Sequence, residues 1–574
     1  MQVAVTAGHG GHGKTAVVRA LTGYAPRPVP GRARPGLGVA STGLAGGSWL
    51  TFVDVPGAPA ALPAALAAAG TAPAALVVVA ADGGWLAQTE DHCTALDAFG
   101  VREAVVAVTR ADLADPKHAL RQARERLARH AFAAAEIVAV SADTGAGLDE
   151  LGAALDRLVR RLPVPDPAAP ARLWIDGVRE GGGAVTGTLT AGTVGVGDVF
   201  LLLPGGHRVR VTDVTGEAAE EGRARSPARV TVGLDGAGHV PVAPGSVLAA
   251  PGAFTLSGVI DVRTRSGEPS GRLGRRLTLH LGAAAVPVRL HPIGPDTARL
   301  TLNARLPLHA GDAAVLRDPA RGTLAGVHVL DPRPPALVRR GAAAARAREL
   351  ATWPDRPDGT VLLRRHGVLR PAALTALGCD VPAGALALSD GWVADPGRWA
   401  ELRARLTVAA AQHAVDHPRA PGVPLEEARL RLGLPTRDLV AALAEPPLRV
   451  ADGRVHGPPG ALPPSVLAAL RRLTADLSAA PFAAPDAARL AELGLTEGAL
   501  AAAEHAGAVL RLPGDVVLLP GAATEALRVL SALPQPFTLA RAGDALGAPR
   551  RVVTALLEHL DGLGLARHTG AKTG

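Results

Sequence analysis

The sequence predicts a multidomain protein: an α/β P-loop domain, then two β-barrel domains, then tandem winged-helix modules of mainly α structure. Three observations predict this order. A glycine-rich loop lies between an apolar run and a helical pattern near residue 10. Short β runs with Gly turns follow a Pro-rich linker. A unit of short helices and a hairpin then recurs about every 55 to 65 residues.

Composition sets the kind of core and the class of partner. The 574 residues are 48% hydrophobic but only 2% aromatic, so the cores must be built from Leu, Val and Ala. The net charge of +8 suits a polyanionic partner. The two cysteines, Cys93 and Cys379, are too few for a disulfide framework or a zinc cluster, and a reducing cytoplasmic location is expected.

The uncharged stretch 55–81 is long enough to span a bilayer, but it contains four prolines and is mostly Ala. A loop, a helix and a buried strand are predicted there instead. No basic segment precedes an apolar core at the N-terminus, so no signal peptide is expected. The sequence therefore predicts no membrane partner, and we expect a monomer.

The first motif is Gly8 to Thr15, which fits G-x-x-x-x-G-K-[ST] between a predicted strand at 3–7 and a helix at 15–21. A helix N-terminus and a glycine-rich turn direct backbone N–H groups at one point, where phosphates bind. Lys14 would neutralise the β- and γ-phosphates, and Thr15 would hold Mg²⁺. Lys occurs only three times in the chain, so its presence here is informative. The predicted phosphate-binding residues of this loop are Gly8, Gly10, Gly11, His12, Gly13, Lys14 and Thr15.

The second motif is D-x-x-G, at the end of an apolar run from 49 to 55. Asp54 is expected to reach Mg²⁺ through water, and the Gly57 N–H to meet the γ-phosphate. The predicted metal-holding residues are therefore Thr15 and Asp54.

The base-recognition motifs follow the next strands. The strand predicted at 104–108 leads into Thr109, Arg110 and Asp112, where guanine-specific enzymes carry [NT]-K-x-D. The Asp112 carboxylate can accept from guanine N1–H and N2–H₂, which adenine does not offer. After a strand at 137–140, the backbone of Ser141 and Ala142 can meet guanine O6. Four elements at strand ends fit the crevice of a parallel sheet, so the sequence predicts binding of GTP or GDP with Mg²⁺. The alternative is a glycine-rich loop without a ligand.

Changes in the pattern of predicted strands, helices and Gly or Pro turns divide the chain into seven predicted domains. Strands with Gly turns begin after the linker Leu162–Pro167 and stop near Arg333-Pro334-Pro335. A single irregular helical domain is the alternative to the four terminal modules. The predicted ranges are 1–165 (nucleotide domain), 172–250 and 255–335 (barrels), and 341–405, 406–465, 466–522 and 523–574 (winged helices 1 to 4).

Four segments resemble the selenocysteine-specific elongation factors, the SelB family related to elongation factor Tu. Residues 7–15, AGHGGHGKT, are similar to that family's AGHVDHGKT, and residues 88–92 follow its QT-x-EH element. Residues 316–340 resemble the end of its third domain, and residues 540–561 its last winged helix. The resemblance covers nearly the whole chain and thins between about 341 and 520.

The resemblance implies a translation factor and GTPase that delivers selenocysteinyl-tRNA to the ribosome at UGA codons. In such a factor the barrels hold the tRNA, with an aminoacyl pocket expected at Asp176 and Arg179. The winged helices would bind a selenoprotein mRNA hairpin, because a helix N-terminus with two guanidinium groups suits a phosphate backbone or a splayed base. A solvated basic face is the alternative. The expected RNA-binding residues are Arg541, Arg550, Arg551 and Arg567.

The chain departs from the family pattern at catalytic positions. Gly38 stands where switch I carries a Thr, and Ala58 where a His orients the attacking water. Gly11 replaces the P-loop Asp, and Gly177 replaces an Arg of the barrel. No catalytic residue is therefore assigned, and we expect slow GTP hydrolysis. Two alternatives stay open: a nucleotide-gated RNA-binding protein with little or no hydrolysis, and a DNA-binding regulator.

Overall fold

The computed structural model describes residues 1–30, 37–58, 61–179, 183–217, 219–236, 241–265, 269–417, 420, 422–458 and 460–565. The chain forms two compact units. The first comprises residues 1–362 and 370–382, and the second comprises residues 363–369 and 383–574. No helix among these residues is long and apolar enough to cross a membrane.

The first unit begins with an α/β domain whose seven-stranded sheet has the order β2-β3-β4-β1-β5-β6-β7. Strands β4, β1, β5, β6 and β7 are parallel. Every residue of β1 and β5 is buried, as expected for parallel strands covered on both faces by helices. The elements are β1 (Gln2–Ala7), α1 (Lys14–Thr22), β2 (Arg27–Pro28), β3 (Gly38–Gly43), β4 (Trp49–Asp54), α2 (Leu62–Ala69), β5 (Ala74–Ala80), α3 (Ala87–Phe99), β6 (Glu103–Thr109), α4 (Lys117–Leu127), β7 (Glu136–Ala139) and α5 (Leu148–Arg161).

A closed six-stranded barrel follows, with the order β11-β12-β15-β9-β8-β16. A separate three-stranded sheet, β10-β14-β13, is built from segments that connect strands of this barrel. Closure pairs all barrel edges, which leaves no free edge strand. The strands are β8 (Arg172–Val178), β9 (Ala184–Ala191), β10 (Thr193–Gly195), β11 (Val199–Leu203), β12 (His207–Thr215), β13 (Ala219–Glu220), β14 (Arg223–Arg225), β15 (Ala228–Asp235) and β16 (Val247–Ala249).

The second barrel is also closed and six-stranded, with the order β17-β20-β19-β18-β21-β22. In β19 the side chains alternate between buried and exposed along Ala284 to His291, the period of two that a strand requires. Its core is Leu, Val and Ala with few aromatic rings, as composition predicts. The strands are β17 (Thr255–Thr264), β18 (Arg276–Leu281), β19 (Ala284–Pro292), β20 (Thr297–Leu308), β21 (Ala313–Arg317) and β22 (Leu324–Asp331).

Short helices and small hairpins form the remainder. The elements are α6 (Ala342–Ala351), α7 (Gly359–His366), β23 (Val368–Leu369), α8 (Pro371–Ala376), β24 (Leu386–Ala387), β25 (Val393–Ala394), α9 (Pro396–Asp416), β26 (Val423–Pro424), α10 (Leu425–Leu432), α11 (Arg437–Leu443), β27 (Arg449–Ala451), β28 (Arg454–His456), α12 (Pro464–Ala479), α13 (Ala487–Glu492), α14 (Glu497–His505), β29 (Leu510–Leu512), β30 (Val516–Leu518), α15 (Ala522–Ser531), α16 (Leu539–Leu546) and α17 (Arg550–Gly562).

The predicted fold class is confirmed: a P-loop domain, two barrels and a C-terminal winged-helix region. Three of the predicted module boundaries fall inside helices, since α9 runs through residue 405, α12 through residue 465 and α15 begins at Ala522. One hydrophobic core also spans α12 to α17. We therefore propose that the second module begins at Pro396 and the third at Pro464, because each long helix opens a module.

Candidate nucleotide site

The phosphate loop joins β1 to α1 in a conformation that needs glycine. Gly8 has a φ of 127° and Gly13 a φ of 82°, both in the region that L side chains rarely adopt. A Cβ on Gly8 would lie 2.2 Å from the carbonyl oxygen of Val78 in β5. The loop therefore lies directly against the sheet, and the N-terminus of α1 begins at Lys14. The anion site that the motif predicts would use the loop N–H groups other than those of Gly8 and Gly10, which donate to side chains of α3.

The ammonium of Lys14 turns back over this loop. Its Nζ donates to the carbonyl oxygens of Gly8 at 2.9 Å and His9 at 3.0 Å. Burial lowers the pKa of Lys14, and the nearby Asp54 carboxylate opposes that shift. A buried cation with two carbonyl partners is held in place for an incoming polyphosphate.

The two predicted metal-holding residues are in direct contact. Asp54 Oδ2 accepts a hydrogen bond from Thr15 Oγ1 at 2.6 Å, and Oδ1 accepts one from Thr6 Oγ1 at 2.9 Å. Burial raises the pKa of Asp54, and the hydrogen bonds from Thr15 and Thr6 act against that rise. Hydroxyl and carboxylate oxygens are the ligands that Mg²⁺ prefers, so this pair fits the ion. Sequence reasoning missed Thr6, which also accepts the N–H of Val55.

The D-x-x-G glycine lies against the phosphate loop. A Cβ on Gly57 would come within 2.4 Å of Gly10 Cα and 2.6 Å of Lys14 Nζ. Gly57, Gly10 and the Lys14 ammonium therefore meet at one point. Ala58 follows directly and is exposed, and its methyl group offers no hydrogen bond to water.

The base-recognition residues reach the same edge of the sheet. Thr109 ends β6 and donates through Oγ1 to the carbonyl oxygen of His12 at 2.7 Å. Arg110 donates to the carbonyl oxygen of Gly11 at 2.5 Å. The cation at position 110 therefore touches the phosphate loop although it is Arg rather than the usual Lys.

The exposed Asp112 follows in a turn after β6. A backbone hydrogen bond from Ala111 N to Val140 O, at 3.2 Å, ties this turn to the one after β7. That second turn holds Ser141, which is buried and accepts from Thr144 N at 3.1 Å, and then the half-buried Ala142. The two turns that sequence reasoning assigned to guanine are therefore neighbours.

Histidine 12 does not face the phosphate side of the loop. Its Nδ1 accepts the backbone N–H of Ala80 at 3.3 Å, and a Cβ on Gly83 would lie 2.9 Å from its Nε2. Burial lowers the pKa of His12 to about 4, with the neighbouring His9 adding to the shift. The neutral ring is bonded to Ala80 at the end of β5. His12 therefore does not replace the water-orienting histidine that the family pattern has at position 58.

Helix α3 supplies two contacts that sequence reasoning missed as site residues. Gln88 Oε1 accepts the N–H of Gly10 at 3.2 Å, and His92 Nδ1 accepts the N–H of Gly8 at 3.1 Å. Burial lowers the pKa of His92 to about 4. The i, i+4 spacing of a Gln and a His at the start of a helix was the available signal.

Comparison with known proteins agrees with this architecture. Residues 46–161 match the elongation factor Tu GTP binding domain. Residues 273–336 match the β-barrel domain of selenocysteine-specific elongation factor, and residues 528–573 match the winged helix of elongation factor SelB. Three separate segments of the chain are therefore similar to domains of SelB and related elongation factors.

Individual relatives show the extent of the likeness. The chain is 33% identical to the selenocysteine-specific elongation factor of Escherichia coli over 356 residues, which is 59% of this chain and 56% of that protein. It is 34% identical to the Desulfomicrobium baculatum factor over 269 residues, 45% of this chain and 42% of that one. The matches thus span about half the length of these relatives. The crystal structure of bacterial elongation factor EF-Sec has a TM-score of 0.68 at 20% identity and covers 99% of this chain and 98% of its own, which shows the fold.

The structure shows what surrounds Gly38, which stands where the SelB pattern has the switch I Thr. Gly38 lies in β3 and pairs in register with Asp54 in β4. A Cβ on Gly38 would lie 3.7 Å from the Asp54 Cβ but only 2.8 Å from the Cβ of Pro26. A side chain at position 38 would therefore lie next to Asp54, one of the two predicted metal-holding residues, and would clash with Pro26. The preceding residues 31–36, which include Arg34 and Gly36, lie outside the described residues.

The two residues predicted for an aminoacyl pocket, Asp176 and Arg179, have different surroundings. Asp176 is buried, and both carboxylate oxygens accept from the guanidinium of Arg229, Oδ1 at 2.6 Å. Arg229 also donates to Thr188. Arg179 is exposed and lines a cavity of about 280 Å³ together with Arg229 and Arg27. Asp176 thus holds Arg229, which sequence reasoning missed because an Arg opening a strand carries no distinguishing pattern.

The predicted RNA-binding arginines differ in their surroundings. Arg541 and Arg550 are exposed at the starts of α16 and α17. Arg551 Nη2 donates instead to the carbonyl oxygens of Ala484 at 2.8 Å and Pro485 at 3.2 Å, in the segment before α13. Arg567 lies outside the described residues. The RNA-binding role of Arg550 stays a prediction, whereas Arg551 joins two segments of the fold.

Proposed function

We propose that this chain is a GTP-binding elongation factor that delivers selenocysteinyl-tRNA to the ribosome at UGA codons. The observation that carries the proposal is the meeting of Lys14, Gly57 and the Thr15–Asp54 pair at one phosphate site, in a chain that also has two barrels and a SelB winged helix. Such a site supports binding of GTP or GDP, with Mg²⁺ held by Thr15 and Asp54 together with phosphate oxygens and water.

The cavity beside the first barrel supports the aminoacyl part of the proposal. Arg27 and Arg179 line about 280 Å³ together with the hydroxyls of Thr186 and Thr231 and the carboxylate of Glu217. Arg229 lines the same space, but its guanidinium is already paired with Asp176. A selenol has a low pKa and carries a negative charge at neutral pH. Guanidinium and hydroxyl donors together suit that anion better than the neutral hydroxyl of serine.

The C-terminal modules are proposed to bind a selenoprotein mRNA hairpin. Arg550 is the first residue of α17 and is exposed there, before the buried face of the helix begins at Val552 and Val553. Cations at that position suit RNA phosphates, and the dipole of the helix adds to the attraction. We place the factor in the cytoplasm as a monomer, without a membrane partner, because ribosomes, tRNA and mRNA are its proposed partners.

A second candidate follows from the exposed methyl group of Ala58 and the absent hydroxyl at Gly38. Hydrolysis needs a positioned water, so a chain without both groups can act as a nucleotide-gated RNA-binding protein with little cleavage of GTP. The experiment is selenocysteine incorporation in a translation system with an in-frame UGA and the source genome's hairpin, with wild type against Lys14→Ala. Incorporation that depends on Lys14 supports the elongation factor. No incorporation, with GTP and hairpin binding intact, favours the second candidate.

The DNA-binding alternative is tested separately. The proposed factor binds an RNA hairpin more tightly than a DNA duplex of equal length when both are measured at one stated salt concentration. Tighter binding to the duplex would favour the regulator instead.

A further inference from the structure

The side chain of Gln88 connects the first turn of α3 to the phosphate loop. Its Oε1 accepts the N–H of Gly10 at 3.2 Å, and one turn later His92 accepts the N–H of Gly8 at 3.1 Å. Residues four apart share one face of a helix, so both contacts come from the same side of α3. The loop is therefore held at two points by one helix.

The Gly10 contact places the carboxamide beside the expected terminal phosphate. A Cβ on Gly10 would be 2.7 Å from the carbonyl oxygen of Gly57, and one on Gly57 would be 2.6 Å from Lys14 Nζ. Lys14 is expected at the β- and γ-phosphates, and the Gly57 N–H at the γ-phosphate. A group bound to the N–H of Gly10 therefore lies at the wall of the γ-phosphate position.

The amide nitrogen of Gln88, Nε2, makes no hydrogen bond to the described residues. The nitrogen is also buried. Buried polar groups are normally paired, and an unpaired one calls for a partner that is a water or a ligand. The oxygen of this carboxamide is fixed by Gly10, so its two N–H donors are held in one orientation.

Two of the three neighbouring histidines, His12 and His92, are committed elsewhere, whereas the Nδ1 of His9 is buried without a hydrogen-bond partner among the described residues. His12 faces Ala80 and Gly83, as described above. His92 Nδ1 accepts the N–H of Gly8, and the buried ring borders a small apolar space that is also lined by Val5 and Ala65. Neither ring is directed at the junction of Gly10 and Gly57.

We infer that Gln88 is the water-positioning residue for GTP hydrolysis in this chain, and that it supplies the slower reaction left after the loss of a histidine at Ala58. The inference rests on the proposed GTP binding. The water oxygen bonds to the γ-phosphorus as the bond from phosphorus to the β–γ bridging oxygen breaks. The water proton passes to a phosphate oxygen, and the products are GDP and inorganic phosphate. The carboxamide of Gln88 orients the water and gains or loses no proton.

The test is single-turnover GTP cleavage in the presence of ribosomes, with GDP affinity measured in parallel. The variants are Gln88→Ala, Gln88→Glu, Ala58→His, and Gln88→Ala combined with Ala58→His. Gln88→Glu keeps an oxygen for the N–H of Gly10 but removes the N–H donors. Gln122→Ala is the matched control, because Gln122 also accepts a backbone N–H, that of Trp85 at 2.8 Å, away from the phosphates.

We expect Gln88→Ala and Gln88→Glu to slow cleavage at least about tenfold, since one positioned donor is commonly worth about 10²–10³ in rate. GDP affinity of Gln88→Ala falls much less than its cleavage rate, and the cleavage rate of Gln122→Ala stays at the wild-type value. Ala58→His raises the rate and makes it insensitive to Gln88→Ala, because the histidine then positions the water.

Three results overturn the inference. One is a Gln88→Ala variant that cleaves GTP like wild type, and another is a loss of GDP affinity as large as the loss of rate, which would mean that Gln88 only supports the loop. The third is a wild-type protein that binds GTP but shows no cleavage above free GTP. Failure of the wild type to bind guanine nucleotide at all would instead overturn the proposed function itself.

Discussion

Arg110 spans the nucleotide site from Gly11 to Asp82. One terminal nitrogen donates to the Gly11 carbonyl oxygen at 2.5 Å, and the other to Asp82 at 2.8 Å. The family pattern has Lys at this position, and the structure shows why Arg is tolerated. Both side chains of the Arg110–Asp82 pair are 40% exposed, so we attribute the useful contact to Gly11 rather than to the ion pair.

This relationship predicts the behaviour of substitutions at position 110. Arg110→Lys keeps a cation within reach of the Gly11 carbonyl and leaves GDP affinity close to wild type. Arg110→Ala removes the hydrogen bond and weakens GDP about three- to tenfold, and Asp82→Ala has less effect than that. Fluorescent GDP titration measures all three. Equal affinity in wild type and Arg110→Ala would contradict the assignment.

Asp112 is predicted to set the preference for guanine. Its exposed carboxylate follows β6 in the turn that is tied to the Ser141 turn. Asp112→Asn replaces an acceptor pair by one acceptor and one donor, which matches the carbonyl at position 2 of xanthine. We expect the variant to prefer xanthosine over guanosine nucleotides in a competition assay. An unchanged preference for GTP would remove Asp112 from the base site.

His92 is predicted to make the nucleotide domain sensitive to acid. Its pKa is lowered from 6.5 to about 4 by burial, with Lys14 adding to the shift. Between these two values the unfolded chain binds more protons than the folded chain, so stability is full above about pH 6.5 and falls as the pH drops toward 4. A shift of this size corresponds to a loss of about 2 kcal/mol at pH 5.

The measurement is the calorimetric transition that GDP shifts, at pH 7 and pH 5. His92→Asn keeps an oxygen acceptor for the Gly8 N–H but does not titrate, so its transition should fall less than that of wild type. His12, whose pKa is also lowered to about 4, retains part of the pH dependence in the variant. Identical pH dependence in wild type and His92→Asn would contradict the assignment.

Arg550 and Arg551 are predicted to act differently although they are adjacent. Arg550→Ala should weaken mRNA hairpin binding and reduce its salt dependence by about one phosphate contact, without a change in GTP affinity. Arg551→Ala removes the bonds to the Ala484 and Pro485 carbonyls and should lower thermal stability. Arg528→Ala, which breaks an exposed pair with Glu525, is the matched control for stability. Electrophoretic shift at one stated salt concentration and thermal melting separate the two roles, and equal behaviour would contradict them.

The elements that could be predicted from the sequence are those that local patterns determine. The buried strand predicted within the uncharged stretch 55–81 is β5 (Ala74–Ala80), because seven consecutive apolar residues between turns match a buried parallel strand. The phosphate loop follows in the same way from glycines that precede Lys14. These features depend on neighbours within a few residues.

The features that could not be predicted depend on contacts between distant residues. Arg551 reads as a free basic residue at a helix N-terminus, but its partners lie more than 60 residues earlier. Asp176 pairs with Arg229, 53 residues later, across the closed barrel. The boundary placed at residue 405 is a different kind of miss, because it ignored a local pattern: no Gly or Pro interrupts α9 there, and the helix continues to Asp416.

The most direct test of the account is the equilibrium affinity for selenocysteinyl-tRNA with GTP and with GDP bound, beside seryl-tRNA of the same tRNA body. The account predicts tight binding of selenocysteinyl-tRNA in the GTP state, weaker binding in the GDP state, and weaker binding of seryl-tRNA in both. By linkage, selenocysteinyl-tRNA must then raise the affinity for GTP by the same factor relative to GDP. Equal affinity for the two aminoacyl-tRNAs in both nucleotide states would contradict it.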